Sequence, residues 1–346
     1  MFNHRSEEEY SISPALLDLL REASGPGPLH ILTHDNPDPD ALAAGAALAR
    51  LFNKAWNIPT RLLYSGLIAR AENQAMLSVL TLEWTPLERH VESLKMGDVA
   101  LVDTQPGAGN NSLPTGIIPK IVIDHHHPIR NGLEAIRFVD IRTELGATSS
   151  MVYQYLEAAG VDVDSGLATA IFYGIQTDTR ALSRGSSETD QEIYFKLLEK
   201  IDRKKLIQIE QAGLPRQYFQ AFNHGLESSV IHGSVIISYL HDLHRPDFVA
   251  EMADLLIRME GMRAALCMGS HRDRLYISLR TNAEEKDAGL LIQKIIAPFG
   301  KAGGHGVMAG GQVELGGRSA DEIAQMVQRR FLEVMGEDLS GESLLY

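Results

Sequence analysis

The sequence predicts an α/β protein of two domains: an N-terminal domain built on a parallel sheet and a smaller C-terminal α/β domain. Three observations predict it. The 346 residues exceed one ordinary core and suit two. From about Pro28 to Asp178, short apolar runs alternate with helix-spaced stretches, the pattern of parallel strands joined by helices. Beyond a break at Gly213-Leu214-Pro215, a different set of strands and helices runs from Gln217 to Tyr346.

Taken in order, Leu29–Thr33 reads as a buried strand and Ala41–Phe52 as a helix packed by small residues. Thr60–Tyr64 is a second strand. Asp98–Asp103 and Ile118–Asp124 are two more, both apolar and both ending in aspartate. Ala147–Ala159 and Gly166–Gln176 carry helical spacing with apolar faces. Ser187–Asp202 reads as a connecting helix with Ser186 or Ser187 as N-cap, and a further helical segment ends near Gly213. The remainder holds strands near Val230–Leu240, Ala264–Met268 and Arg274–Arg280, with helices near Asp247–Met259, Asp287–Phe299 and Ala320–Met335. The division expected is residues 1–186, a helical linker 187–216, and 217–346.

Composition narrows the setting. An apolar fraction of 44% and a charged fraction of 22% are those of a globular chain. The single cysteine, Cys267, sits in an apolar run and reads as core; no intrachain disulfide can form, which fits the reducing cytoplasm. The polar first ten residues lack a signal core, and the greasiest stretch, Ala41–Ala49, is too short and too small-residued to span a bilayer. A net charge of −13 argues against duplex nucleic acid as partner and leaves room for a small phosphorylated nucleotide or a short single-stranded oligonucleotide. A homodimer is allowed for.

Four polar elements follow these apolar segments. Thr33-His34-Asp35-Asn36-Pro37-Asp38-Pro39-Asp40 lies between a strand and a helix, where α/β folds bind ligands. His34, Asp38 and Asp40 offer nitrogen and oxygen ligands for a divalent metal, on a loop stiffened by prolines. The same segment also reads as a polar turn in which Asp40 caps the helix. Asp103 ends an apolar strand, a position that a turn or cap also explains. Asp124-His125-His126-His127-Pro128 ends another strand, and adjacent imidazoles repel when protonated unless an acid or metal lies beside them. Thr177-Asp178-Thr179 places a carboxylate at the unfavourable end of a helix, where a cation would relieve it.

In this order the four elements resemble the DHH phosphoesterase family, whose name is matched by Asp124-His125-His126. Ala302-Gly303-Gly304-His305 followed by Ala309-Gly310-Gly311 is similar to the glycine-rich signature of the C-terminal domain that accompanies DHH domains. The resemblance covers most of the chain and implies an active-site cleft between the two domains. It implies that His34 and Asp38 hold one metal, that Asp40, His125 and Asp178 hold another, and that Asp103 bridges them. His126 would face substrate phosphate, with Asp124 orienting the histidines. Mixed imidazole and carboxylate ligation makes two Mn2+ ions per chain the first expectation, with Mg2+, Co2+, Zn2+ or Fe2+ as substitutes. Arg280 resembles the family arginine that reads a terminal phosphate, and Gly303, Gly304 and His305 would contact substrate. A strand-end surface charge and ordinary glycine turns account for the same residues.

The sequence departs from the family in Pro39 and Ala302, where many relatives have glycine, and in Arg180, where many of its nucleases do. Arg180 and Arg184 would alter the cleft, and His127 has no assigned role. The activity implied is metal-dependent hydrolysis of short nucleotide substrates, whether oligoribonucleotides, 3′-phosphoadenosine 5′-phosphate or linear dinucleotides, by a hydroxide activated between two metals. The alternatives are a cyclic-dinucleotide phosphodiesterase and a catalytically silent nucleotide-binding module.

Overall fold

The computed structural model describes residues 12–345 apart from 26, 69, 95–96 and 283–286; the His305 side chain also lies outside the described set. The chain divides into two compact units, one through Ala212 and one from Gly213.

The first unit runs α1 (Pro14–Ala23), β1 (Leu29–Leu32), α2 (Pro39–Trp56), β2 (Thr60–Tyr64), α3 (Ala71–Leu80), β3 (Trp84–Pro86), α4 (Val91–Leu94), β4 (Asp98–Val102), β5 (Ile121–Asp124) and β6 (Phe138–Ile141). Helices α5 (Thr148–Ala158), α6 (Ser165–Asp178), α7 (Glu188–Leu198) and α8 (Arg203–Glu210) follow. The sheet is parallel throughout, in the order β3-β2-β1-β4-β5-β6. The strand order reverses at β1 and β4, the switch point beyond which such sheets bind ligands. Largely buried on both faces, β1, β4 and β5 read as mostly apolar runs, interrupted by His30 in β1 and bounded by Asp98 and Asp124, as parallel strands do. β3 and β6 lack that signal: one is three residues with a proline, the other carries Asp140.

Helix α2 is central and buried from Pro39 to Ala49. Pro39 opens it, and Asp38, not Asp40, is its N-cap, accepting from the Ala41 amide at 3.0 Å. The alanines of α2 admit close packing by α5 and α6. At Gly174 of α6, a Cβ would come within 3.1 Å of the Asp40 Cα and 3.0 Å of the Ser149 hydroxyl. The approach that brings α6 against the start of α2 therefore needs glycine. Ser187 caps α7 in a capping box with Asp190.

The second unit runs α9 (Arg216–Glu227), β7 (Val230–His232), β8 (Val235–Asp242), α10 (Phe248–Leu256), β9 (Ala264–His271) and β10 (Arg274–Thr281). It continues with α11 (Ala288–Ile296), β11 (Lys301–His305), β12 (Met308–Glu314), α12 (Ala320–Met335) and β13 (Glu342–Ser343). Its sheet has the order β11-β12-β10-β9-β8-β7-β13, with β8 and β9 parallel and the other pairs antiparallel. The expected strand Val230–Leu240 is two strands, turned at Gly233 with φ +56°. Gly303, Gly304, Gly310 and Gly311 are not ordinary turn glycines but lie in the paired strands β11 and β12. No described helix is long and apolar enough to cross a membrane.

Candidate metal centre

The carboxyl edge of the first sheet gathers the polar residues. His34 follows β1, Asp103 follows β4, His125 and His126 follow β5, Asp38 and Asp40 open α2, and Asp178 closes α6. Three sets of ligand atoms lie within 4.8 Å of one another: His34, Asp38 and Asp103; Asp40, His125 and Asp178; and Asp103, His125 and His126.

Two histidines are aimed by backbone carbonyls. His34 Nδ1 lies 3.0 Å from the Asp35 oxygen and His125 Nδ1 lies 3.0 Å from the Leu145 oxygen. A carbonyl only accepts, so each Nδ1 is a donor and each Nε2 is the nitrogen turned toward the carboxylates. His34 Nε2 is 3.4 Å from Asp103 Oδ2 and 3.8 Å from Asp38 Oδ2. His125 Nε2 is 3.1 Å from Asp178 Oδ2 and 3.6 Å from Asp103 Oδ1. The two oxygens of Asp103 thus face the two histidines separately. Asp103 is itself left-handed, with φ +62°, a conformation that aspartate tolerates better than most residues.

Asp40 is held from another side. Its carboxylate accepts from the Thr148 amide at 2.7 Å, the Ser149 amide at 2.9 Å and the Ser149 hydroxyl, so it sits on the amino end of α5. The Thr148 hydroxyl donates to Asp103.

The charges strain against one another. Burial and the neighbouring Asp103 and Asp178 carboxylates push Asp40 well above the ordinary carboxylate range. Burial, with Asp38 and Asp103 nearby, also raises Asp178, against the pull of His125. Burial opposes protonation of His34 and His125, yet the facing carboxylates lift both well above the usual imidazole range: Asp103 and Asp38 for His34, Asp178 and Asp103 for His125. Carboxyls raised by burial and by their acidic neighbours, beside imidazoles raised by facing carboxylates, describe a cluster short of positive charge. His125 Nε2 is buried and makes no hydrogen bond among the described residues. That orphaned nitrogen, among carboxylate oxygens, fits a divalent cation in place of a proton.

His126 is held differently. Its Nδ1 donates to Asp124 Oδ1 at 2.8 Å, so this nitrogen, although 3.6 Å from Asp103, is a donor and not a ligand. Asp124 is buried, and despite that burial His126 and Gln105 hold its carboxyl below the ordinary range. Gln105 Nε2 donates to Asp124 Oδ2 at 2.7 Å and to the His126 carbonyl at 3.1 Å, while its Oε1 accepts from the Arg130 amide at 2.8 Å. Gln105, Thr148 and Ser149 were not anticipated. The signal for the last two was a Thr148-Ser149-Ser150 run at a helix start, a common place for backbone amides to meet an anion.

Other expected residues fall elsewhere. His127 is exposed. Arg184 Nη2 donates to the Asp178 carbonyl at 3.0 Å, a cation at the carboxyl end of α6. Arg180, Ala181 and Leu182 are successively left-handed, with φ +48°, +51° and +68°. In the second unit, Arg280 is buried, not a strand-end surface charge. Its Nε donates to Asp254 Oδ1 at 2.5 Å and its Nη1 to the Ser278 hydroxyl at 2.9 Å. The register aligns Arg280, Met308 and His305 in one row, and Ser278, Gly310 and Gly303 in another; Gly304 pairs with Ala309.

Residues 28–175 match the family model for the DHH family, N-terminal domain, and residues 232–333 match that for the DHHA1 domain. An uncharacterized protein of Methanocaldococcus jannaschii is 31% identical over 320 residues, covering 89% of this chain and 64% of its own length. A probable manganese-dependent inorganic pyrophosphatase of Streptococcus agalactiae is 30% identical over 156 residues, covering 44% of this chain and 48% of its own length. The chain therefore spans less than two thirds of either relative. The crystal structure of an exopolyphosphatase-related protein from Bacteroides fragilis shares the fold, with a TM-score of 0.72 at 17% identity over 94% of this chain and 98% of that one.

Proposed function

The chain belongs to the DHH family, carrying its N-terminal domain and then a DHHA1 domain, and on that premise we propose that it is a two-metal phosphoesterase of short nucleotide substrates. The observation that carries the proposal is Asp103. One of its oxygens faces His34 and the other faces His125, so this carboxylate would be available to both cations. His34 and Asp38 complete one position; Asp40, His125 and Asp178 complete the other. When bound, the cations would supply Lewis acidity and a water that ionises to hydroxide near neutral pH. Mn2+ is the ion proposed, in keeping with the mixed nitrogen and oxygen donors and with the manganese dependence named for the streptococcal relative.

The protein's own groups do the rest. Asp124 holds the His126 ring so that its outer nitrogen can donate to a phosphoryl oxygen. A covalent nucleophile is not needed, and Cys267 would not serve: it is fully buried, and burial pushes its thiol far up. For the nucleotide we assign Arg280, Gly303, Gly304 and His305. Short oligoribonucleotides, 3′-phosphoadenosine 5′-phosphate and linear dinucleotides suit the net charge of −13, which offers no broad basic surface. The pyrophosphatase likeness covers 44% of this chain, so it supports the metal chemistry more than the choice of substrate. We assign the protein to the cytoplasm on its one buried cysteine.

The test is Mn2+-dependent turnover on a panel of 3′-phosphoadenosine 5′-phosphate, di- to pentaribonucleotides, cyclic dinucleotides and pyrophosphate, with Asp103→Asn as control. Cleavage of the linear nucleotides, lost in the variant, is expected. Silence on the whole panel from protein holding two Mn2+ ions would overturn the proposal, and preference for pyrophosphate or cyclic dinucleotides would replace its substrate.

A further inference from the structure

Behind the metal centre lies a buried polar network that the proposed reaction does not use. Arg142, just past β6, is 4% exposed and Asp140, on β6, is 8% exposed. Arg142 Nη2 lies 3.1 Å from Asp140 Oδ2, and the Tyr155 hydroxyl donates to the same oxygen. Arg142 Nη1 donates to Gln154 Oε1 at 2.5 Å, and its guanidinium carbon stands 5.8 Å from the centre of the Tyr155 ring. A buried ion pair is a poor way to gain stability, because desolvation consumes most of the attraction. Its worth here lies in what it fixes.

Two paths lead from Arg142, one to His125 and one along α5 to Asp40 and, through the Thr148 hydroxyl, to the shared Asp103. Along the backbone, the Arg142 amide donates to the Asp124 carbonyl at 3.0 Å and the Arg142 carbonyl accepts from the Leu145 amide at 3.2 Å. This sets the turn whose Leu145 carbonyl receives the His125 Nδ1 proton. Through the side chain, Arg142 grips Gln154 and Tyr155, about two turns along α5 from the Thr148 and Ser149 amides that hold Asp40. The other position is aimed from elsewhere: His34 by the Asp35 carbonyl, and Asp38 by the Ala41 amide.

We propose that Arg142 is a positioning residue that sets the affinity of the cation position built by Asp40, His125 and Asp178 and reaches the position of His34 and Asp38 only through the shared Asp103. The inference rests on the two-cation reading above. Orienting groups of this kind commonly carry ~10–100-fold in metal affinity.

The experiment is Mn2+ titration of the metal-free full-length chain, following free Mn2+ by electron paramagnetic resonance. Wild type should bind two ions. Arg142→Met should weaken one of them ~10–100-fold, with Arg142→Lys recovering part of the loss through its charge on Asp140. In an Asp38→Asn background, Arg142→Met should weaken the remaining ion by the same factor; in an Asp178→Asn background it should change little. If Arg142→Met does not fold, Tyr155→Phe, which removes one hydroxyl, is read in its place with the same expected asymmetry. Equal weakening of both ions, or none in a folded variant, would overturn the assignment of Arg142 alone. Wild type that binds no Mn2+ would bring down the two-cation reading and this inference with it.

Discussion

The Thr148 hydroxyl donates to the Asp103 carboxylate at 2.7 Å, and neither residue has meaningful contact with solvent. The first turn of α5 therefore fixes the rotamer of the carboxylate that looks toward both histidines. Thr148→Val keeps the shape and removes the donor, leaving a buried carboxylate oxygen short of a partner. It should lower the stability of the metal-free protein by about 1–3 kcal/mol, read from urea midpoints, with Thr148→Ser close to wild type. A valine variant as stable as wild type would remove the bond from the account.

Asp103→Asn separates charge from backbone. The left-handed φ of +62° at this position suits asparagine as well as aspartate, so the variant should fold. What it loses is the negative charge shared by the two proposed cation positions. Elemental analysis after dialysis should find neither ion retained, and turnover should vanish on every substrate of the panel. Two tightly held ions in this variant would refute the bridging role.

The clustering of these polar residues was legible in the sequence, because parallel strands bring the residues that follow them to one edge of the sheet. His34, Asp103 and His125 each follow a buried apolar run that names its own strand. The supports were not legible. Gln105, Thr148 and the Leu145 carbonyl act across 19, 45 and 20 residues of chain, through contacts that no local spacing encodes. Asp38 and Asp40 exchanged the helix-capping role for the same reason. Which carboxylate caps α2 depends on α5 claiming Asp40 from outside. Arg280, expected to read phosphate, left a surface charge open as its alternative because its partner, Asp254, lies 26 residues away on α10.

Stability of the metal-free protein should fall as pH rises above about 6.5. His34 and His125, drawn up by their carboxylates against the effect of burial, hold protons more tightly folded than unfolded. Such groups stabilise fully below the unfolded imidazole value of 6.5 and lose that contribution as pH climbs through the folded one. Asp40, raised mainly by burial, acts with the same sign from 3.8 upward. Asp38 and Asp124 have the opposite sign, since their carboxyls are lowered, and matter only in strong acid. Cations compete for the same sites, so Mn2+ binding should release protons and tighten with pH. Urea midpoints at several pH values, and calorimetric binding in two buffers of different ionisation heat, check both. A metal-free midpoint that rises from pH 6.5 to 8.5 would contradict the cluster's electrostatics.

In the second unit, Asp254→Asn tests whether Arg280 is structural or reads substrate. The pair is close and Arg280 is buried, so removing one charge should destabilise the unit, by no more than about 3 kcal/mol given that Asp254 is 37% exposed. Arg280 keeps its bond to Ser278 and should stay in place. If it also binds a terminal phosphate, removing the competing negative charge should lower KM for phosphate-ended substrates relative to an artificial phenyl phosphodiester. An unchanged KM ratio, with the stability loss present, would confine Arg280 to the core.

Gln105 ties three segments together: its amide holds Asp124 and the His126 carbonyl, and its oxygen takes the Arg130 amide. Asp124 in turn holds His126, whose imidazole is raised by Asp103 and Asp124 against burial. Gln105→Leu removes one of the two donors that keep the Asp124 carboxyl low, so the carboxylate should lean more on His126 and hold the His126 proton more tightly. If His126 must be protonated to donate to a phosphoryl oxygen, the alkaline limb of kcat should move to higher pH while kcat near neutrality falls from the looser ring. Gln105→Glu offers Asp124 a carboxylate in place of an amide and should be the more damaging change, because two acids then face each other in a buried site. A pH profile that keeps its shape in Gln105→Leu would mean that Asp124 orients His126 without setting its charge.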